Sequence, residues 1–182
     1  MQPPILLDVV SRGMALETHL ERLQNDIALV TRDLTAADLV RHAEGKWSAA
    51  EVLEHLYLTY TGTVKGFERC LQAGRPLATA PTLKQRIAAA VTVGAGFMPG
   101  KREAPPFTRP KGLPAEKIIA EMGAQIAAMD AIISQCEERF GKRVKLMNHH
   151  VLGPLTGAQW RKFHWVHGRH HIKQIARLRA FL

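Results

Sequence analysis

Apolar residues recur along this chain with helical spacing in five places, and nowhere do they alternate as convincingly as in a strand. The first stretch runs from about Val9 to Val30, where Met14, Leu16, Leu20, Leu23, Ile27 and Val30 trace one stripe. Thr35-Ala-Ala-Asp38 can start a short helix in the connection that follows. The second long helix opens at Ser48-Ala-Ala-Glu51, a capping box in which serine and glutamate each satisfy the other's free backbone donor. It is predicted to run to about Ala73 and to stop at Gly74, with Pro76 beyond. The third, Leu83 to Gly96, is apolar but rich in glycine and β-branched residues.

Five prolines between Pro99 and Pro114 then predict a long irregular connection wrapped over the surface. The fourth helix opens at Pro114, a good first helical residue, and carries Ile118, Met122, Ile126, Met129 and Ile133 on its apolar face. The fifth opens at a second capping box, Thr156-Gly-Ala-Gln159, and continues to the C-terminus. The first, second, fourth and fifth are long and amphipathic. Four helices of ~20–26 residues suit an all-α four-helix bundle, and the long connection implies a crossover rather than simple hairpins. At 182 residues the whole chain, 1–182, fits one domain with a core of its own.

Composition narrows the setting. A hydrophobic content of 46% argues against disorder. The two cysteines, Cys70 and Cys136, lie outside any Cys-x-x-Cys motif, which excludes a disulfide scaffold and a cysteine zinc finger and fits a reducing compartment. No basic, then apolar, leader is visible at the N-terminus. The longest apolar run, from Ile87 to Met98, is far shorter than the ~20 residues a membrane-spanning helix needs. The expectation is a cytoplasmic protein that makes no use of a membrane. A formal charge of +9 favours anionic partners. Its cations are dispersed, however, apart from Lys142, Arg143 and Lys145, and the absence of a zinc-finger or RNA-binding motif argues against nucleic acid.

The last helix changes the picture. Four of the nine histidines fall between His164 and His171. Residues four apart on a helix lie ~40° from one another, so His167 and His171 share a face, with His164 one turn earlier on nearly the same side. Neutral imidazole is the commonest protein ligand for divalent transition metals, and an i, i+4 pair can close on one ion. A third ligand has to come from a facing helix. The best candidate is His55, which is flanked by Val52, Leu56 and Tyr57 two turns into the capped second helix. A lone inward histidine is ordinarily a hydrogen-bonded core residue; the pair elsewhere shifts that balance.

Trp47-Ser48-x-x-Glu51-x-x-x-His55-Leu56, followed much later by His167-x-x-x-His171-x-x-Gln174-Ile175, resembles the DinB-like (YfiT-like) metalloenzyme superfamily. The likeness spans nearly the whole chain. It implies a four-helix bundle that binds a divalent metal, zinc or nickel, through three histidines. One comes from the second helix and two from the last, which match His55, His167 and His171. His149-His150-Val151-Leu152-Gly153-Pro154-Leu155-Thr156-x-x-Gln159-Trp160 is also similar to the His-Pro-x-Phe-Gly-x-Leu-Thr-x-x-Gln-Trp stretch of a DinB-related group of unknown function. Here His150 replaces the proline and Leu152 the phenylalanine, departures that bear on the loop rather than on the triad.

The other histidines have open readings. His149 could approach the metal or its ligand, or simply cap its loop. His164 could support a ligand from the same face. His170, ~100° from His171, belongs to packing or surface. His19 and His42 carry no pattern, and Trp47, Trp160 and Trp165 read as bundle packing. Gln174 fits the resembled pattern and can orient a histidine, since a ligating imidazole needs a partner for its other nitrogen.

Three neutral histidines leave a tetrahedral ion one position short, open to water or substrate. Such a site suits a hydrolase that activates water or a transferase that activates a low-molecular-weight thiol, acting on a small-molecule substrate. The resemblance implies the second, because the superfamily includes thiol-dependent S-transferases and a thiol-using isomerase. Members described as hydrolases keep the first open. Glu51, one turn before His55, is committed to its capping box, so no general base stands out. A non-catalytic bundle that binds metal for stability or sensing is the alternative from another class. The resemblance also suggests a homodimer.

Overall fold

The computed structural model describes residues 17–42, 44–99 and 103–179. Its helices are α1 (His19–Thr31), α2 (Ala36–Val40), α3 (Ala49–Gln72), α4 (Leu83–Ala89), α5 (Ala115–Phe140) and α6 (Gly157–Arg179). A π-helical turn, Ala90–Gly94, continues α4, and a short 3-10 helix covers Pro106–Thr108. Both predicted boxes form. Ser48 and Glu51 exchange their bonds at the start of α3, and Thr156 and Gln159 do so ahead of α6. Gly74, at φ 65°, lies just beyond the α3 C-cap in the left-handed region a glycine adopts without strain.

Three expectations need correction. Among the described residues α1 begins at His19, not Val9, because Thr18 and Glu21 make a capping box of their own; Val9 to Leu16 lie outside the described residues. Secondly, there is a hairpin where no strand was expected. β1 (Met147–His149) pairs antiparallel with β2 (Gly153–Leu155), with Asn148 opposite Pro154. Three-residue strands are too short to show an alternating pattern, and Pro154 within one hides it further. Thirdly, the Pro99–Pro114 connection does more than cover the surface, since Thr108 is 4% exposed and reaches the bundle interior.

The four long helices close into a bundle. α3 packs along α5 and α1 along α6, with α3–α6 and α1–α5 contacts completing the ring. The α5 stripe from Ile118 to Ile133 meets Leu53, Leu56, Tyr60 and Phe67 of α3, all in one core with Leu23 and Ile27 of α1 and Ile175 of α6. At the N-terminal end of α6, Arg161 bonds Asp130, Ser134 (2.8 Å) and Glu137 (2.7 Å) on α5. The all-α expectation holds, with the hairpin as a small addition that delivers Thr156 to cap α6.

Gly168 sits between His167 and His171 where α6 crosses α1. A Cβ there would overlap Cδ1 of the fully buried Leu23. Gly168→Ala gains about 1 kcal/mol of helix propensity but incurs about 1–3 kcal/mol of overpacking. The expected result is a net fall in the midpoint of urea unfolding; an unchanged or raised midpoint would show that Leu23 yields freely.

Candidate metal centre

His55 projects from the second turn of α3, which the Ser48 cap fixes in register, while His167 and His171 project one turn apart from α6. The two helices are neighbours in the bundle, so the predicted pair and the predicted lone histidine meet. Nε2 of His167 lies 3.3 Å from Nε2 of His55 and 3.1 Å from Nε2 of His171. The ligand atoms of all three lie within 4.8 Å of one another, a spacing that could hold a metal ion. Two nitrogens bound to zinc at ~2.0–2.1 Å and a tetrahedral angle stand about 3.3 Å apart. The spacing fits one shared ion.

Hydrogen bonds on the other sides of the rings set their protonation. Nδ1 of His55 is 2.8 Å from the carbonyl oxygen of Thr108, and Nδ1 of His171 is 2.8 Å from Oε1 of Gln174. Both oxygens only accept, so each Nδ1 carries the proton and each neutral ring turns a bare Nε2 lone pair inward. His167 stands between them. A proton on its Nε2 could serve one neighbour and would leave the other lone pair facing it unrelieved, with its own buried Nδ1 still unpartnered among the described residues. A cation at the convergence satisfies all three. The donor set therefore fits a divalent transition ion.

Burial keeps the rings neutral, as ligation requires. It holds His55 below the ordinary imidazole range despite the opposing effect of the Thr108 bond. It pushes His171 down to about 3, helped by His55. His167 falls well below its ordinary value, first through burial and then through the neighbouring rings of His171 and His55. The walls are aromatic. Phe163 stacks on His167 with ring centres 5.4 Å apart, and Trp47 lies 5.3 Å from His55.

The other candidates take distinct places. Gln174 touches a triad histidine directly. Its amide N–H groups point the opposite way and donate to Nε2 of His170 at 3.1 Å, and the His170 ring also meets the His171 ring edge-to-face at 5.3 Å. His164 is fully buried and lies 3.1 Å from Oγ1 of Thr63, whose hydroxyl proton goes to the Thr59 carbonyl. Nε2 of His164 thus donates, and burial lowers the ring's pKa to about 3. His149 caps its own hairpin, with Nδ1 accepting from Val151 and Leu152 N–H at 3.2 Å each. Its ring packs on Phe163, the residue stacked on His167. Trp165 is half-buried, packs against the edge of the core and stacks on His19, with the Arg169 guanidinium over it. A cavity of about 840 Å³ elsewhere on α6 is lined by Arg86, Lys145 and Lys162 and includes none of the triad.

Sequence reasoning missed three neighbours of the site: the Thr108 carbonyl behind His55, Glu54, the buried carboxylate next to His55 in the chain, and Trp47 against the His55 ring. A backbone carbonyl leaves no side-chain signal. Glu54 did leave one, as a carboxylate next to an inward histidine on an apolar helix face.

No curated protein and no solved structure matches the chain. One family model does match, over residues 15–177, and its description is "Protein of unknown function (DUF1569)". That description names no metal and no superfamily, so the DinB-like likeness rests on the residues quoted above. With the match covering nearly all of its length, the chain belongs to the DUF1569 family.

Proposed function

We propose that this protein is a metal-dependent enzyme related to the DinB-like bundles. In this reading His55, His167 and His171 hold one divalent transition ion, zinc or nickel, for chemistry on a small molecule, with thiol S-transfer ahead of hydrolysis. The observation that carries the proposal is the convergence of three imidazoles, two of them turned inward by oxygens behind them. Bound there, the ion would supply Lewis acidity, lowering the pKa of a coordinating thiol or water toward neutrality.

The chain's own residues favour the thiol. Three neutral ligands leave the charge of the ion uncompensated, which suits an anionic donor in the remaining position. Trp47 and Phe163 offer apolar walls to an organic substrate. Hydrolysis is helped by a positioned general base, and the ligand-bearing helices have none to spare. α6 contains no aspartate or glutamate. On α3, Glu51 is bonded to the Ser48 backbone, Glu54 accepts backbone N–H groups from Lys111 to Leu113, and the exposed Glu68 lies about 20 Å further along the helix from His55. Thiol transfer asks less of the protein: the thiol proton would pass to solvent, the sulfur would form a bond to an electrophilic carbon, and the leaving group would depart with its electron pair. Buried free Cys70 and Cys136 support a reducing, cytoplasmic setting in which such thiols are available.

The test uses cobalt(II) as a spectroscopic substitute. Titrating the cobalt-loaded protein with glutathione or cysteine should produce a saturable near-ultraviolet sulfur-to-cobalt charge-transfer band, absent in His171→Ala. Cobalt binding without such a band for either thiol would remove the case for S-transfer.

A further inference from the structure

Glu54 immediately precedes His55 and is only 2% exposed, yet among the described residues no ion pair includes it. Its carboxylate instead accepts three successive backbone N–H groups, from Lys111 (2.7 Å), Gly112 (3.0 Å) and Leu113 (3.2 Å). Gly112, at φ 86°, lets the chain curl its amides toward one point. A buried carboxylate is costly unless its lone pairs are satisfied, and charge-assisted bonds of this kind are the strong ones. The grip is firm.

The same segment serves His55. Thr108, three residues before Lys111, gives its carbonyl to Nδ1 of His55 and is held in the 3-10 turn by bonds from its N–H and hydroxyl to the Pro105 carbonyl (2.9 and 3.1 Å). Two consecutive side chains of α3 thus hold one stretch of the crossover at two points, His55 through a carbonyl and Glu54 through amides.

We infer that Glu54 is a positioning residue of the metal centre: by anchoring Lys111–Leu113 it places the Thr108 carbonyl that orients His55. Metal binding and docking of the 105–113 segment onto α3 are then coupled. This rests on the metal reading above. Coupling is reciprocal, so whatever the anchored segment does for metal affinity, the metal does for the segment. Glu54→Gln keeps the shape but replaces one acceptor oxygen with an N–H₂ group facing backbone donors, and so breaks the grip without opening a cavity.

The experiment compares the full-length wild type with Glu54→Gln by cobalt(II) titration followed by visible absorption, and by amide hydrogen exchange with and without zinc. Cobalt affinity should fall by ~10–100-fold in the variant, the range for losing a partner that orients a ligand, with a changed d–d band as His55 turns. In the wild type zinc should slow exchange across 108–113, and in the variant it should not. A variant with wild-type affinity and spectrum, or a metal-loaded wild type with unprotected 108–113, would overturn the coupling alone. A wild type that takes up neither cobalt nor zinc would overturn the metal reading and this inference with it. If Glu54→Gln does not fold, the wild-type exchange experiment decides.

Discussion

Replacing His167 with alanine should abolish tight metal binding, because its Nε2 stands between those of His55 and His171 and, among the described residues, these three form the cluster that could hold an ion. The loss should exceed the ~10–100-fold penalty of removing a partner that merely orients a ligand. His170→Ala is the matched control. Its ring bonds the Gln174 amide, which orients His171, and all three ligands survive the change. Metal content after desalting, and competition against a chromogenic chelator, should separate the two variants clearly, with His170→Ala near wild type in stoichiometry. Equal losses would show that the wrong histidines have been paired.

Phe67→Ala should be the most destabilising of the substitutions considered, at about 3–5 kcal/mol. Phe67 is fully buried on α3 and meets Trp160 of α6 edge-to-face at 5.8 Å, so it joins the two helices that carry the triad. Removing its ring leaves a cavity that the side chains around it cannot easily close, since Cys70, Cys136 and Trp160 beside it are themselves buried to 4% exposure or less. For a chain of this size the melting temperature should drop by roughly 2–4 °C per kcal/mol. A ligand that binds only the folded state offsets part of the loss, by about 2.7 kcal/mol at 100 times its dissociation constant. Zinc should therefore raise the melting temperature of Phe67→Ala. A drop below 1 kcal/mol would mean that α3 and α6 are held together elsewhere.

Features written in local chemistry were legible before any coordinates. Ser48 with Glu51, and Thr156 with Gln159, announce helix starts because both partners of each box lie within four residues. The stripe from Ile118 to Ile133 announces α5 in the same way. His167 and His171 are legible as a pair because helical geometry alone brings them together. His55 is harder to read, since its facing the pair depends on how α3 and α6 pack; its apolar flanks mark it as inward, and the resemblance adds that its helix meets the last one. Thr18 and Glu21 were equally local but were masked by the apolar stripe that continues toward the N-terminus. The hairpin was not readable, because Met147–His149 is too short to show a period and Pro154 argues against a strand. Least visible were the supports behind the ligands. Thr108 acts through its carbonyl and Glu54 through amides more than 50 residues away, and neither contact leaves a spacing in the sequence.

Elemental analysis of untagged protein, purified without added metal, asks only whether the three converging imidazoles hold an ion. About one equivalent of zinc or nickel per chain is expected, the stoichiometry of a single three-histidine site. Protein that contains no transition metal, and takes up none after incubation with zinc or nickel, would contradict the metal reading and reduce the histidine cluster to packing.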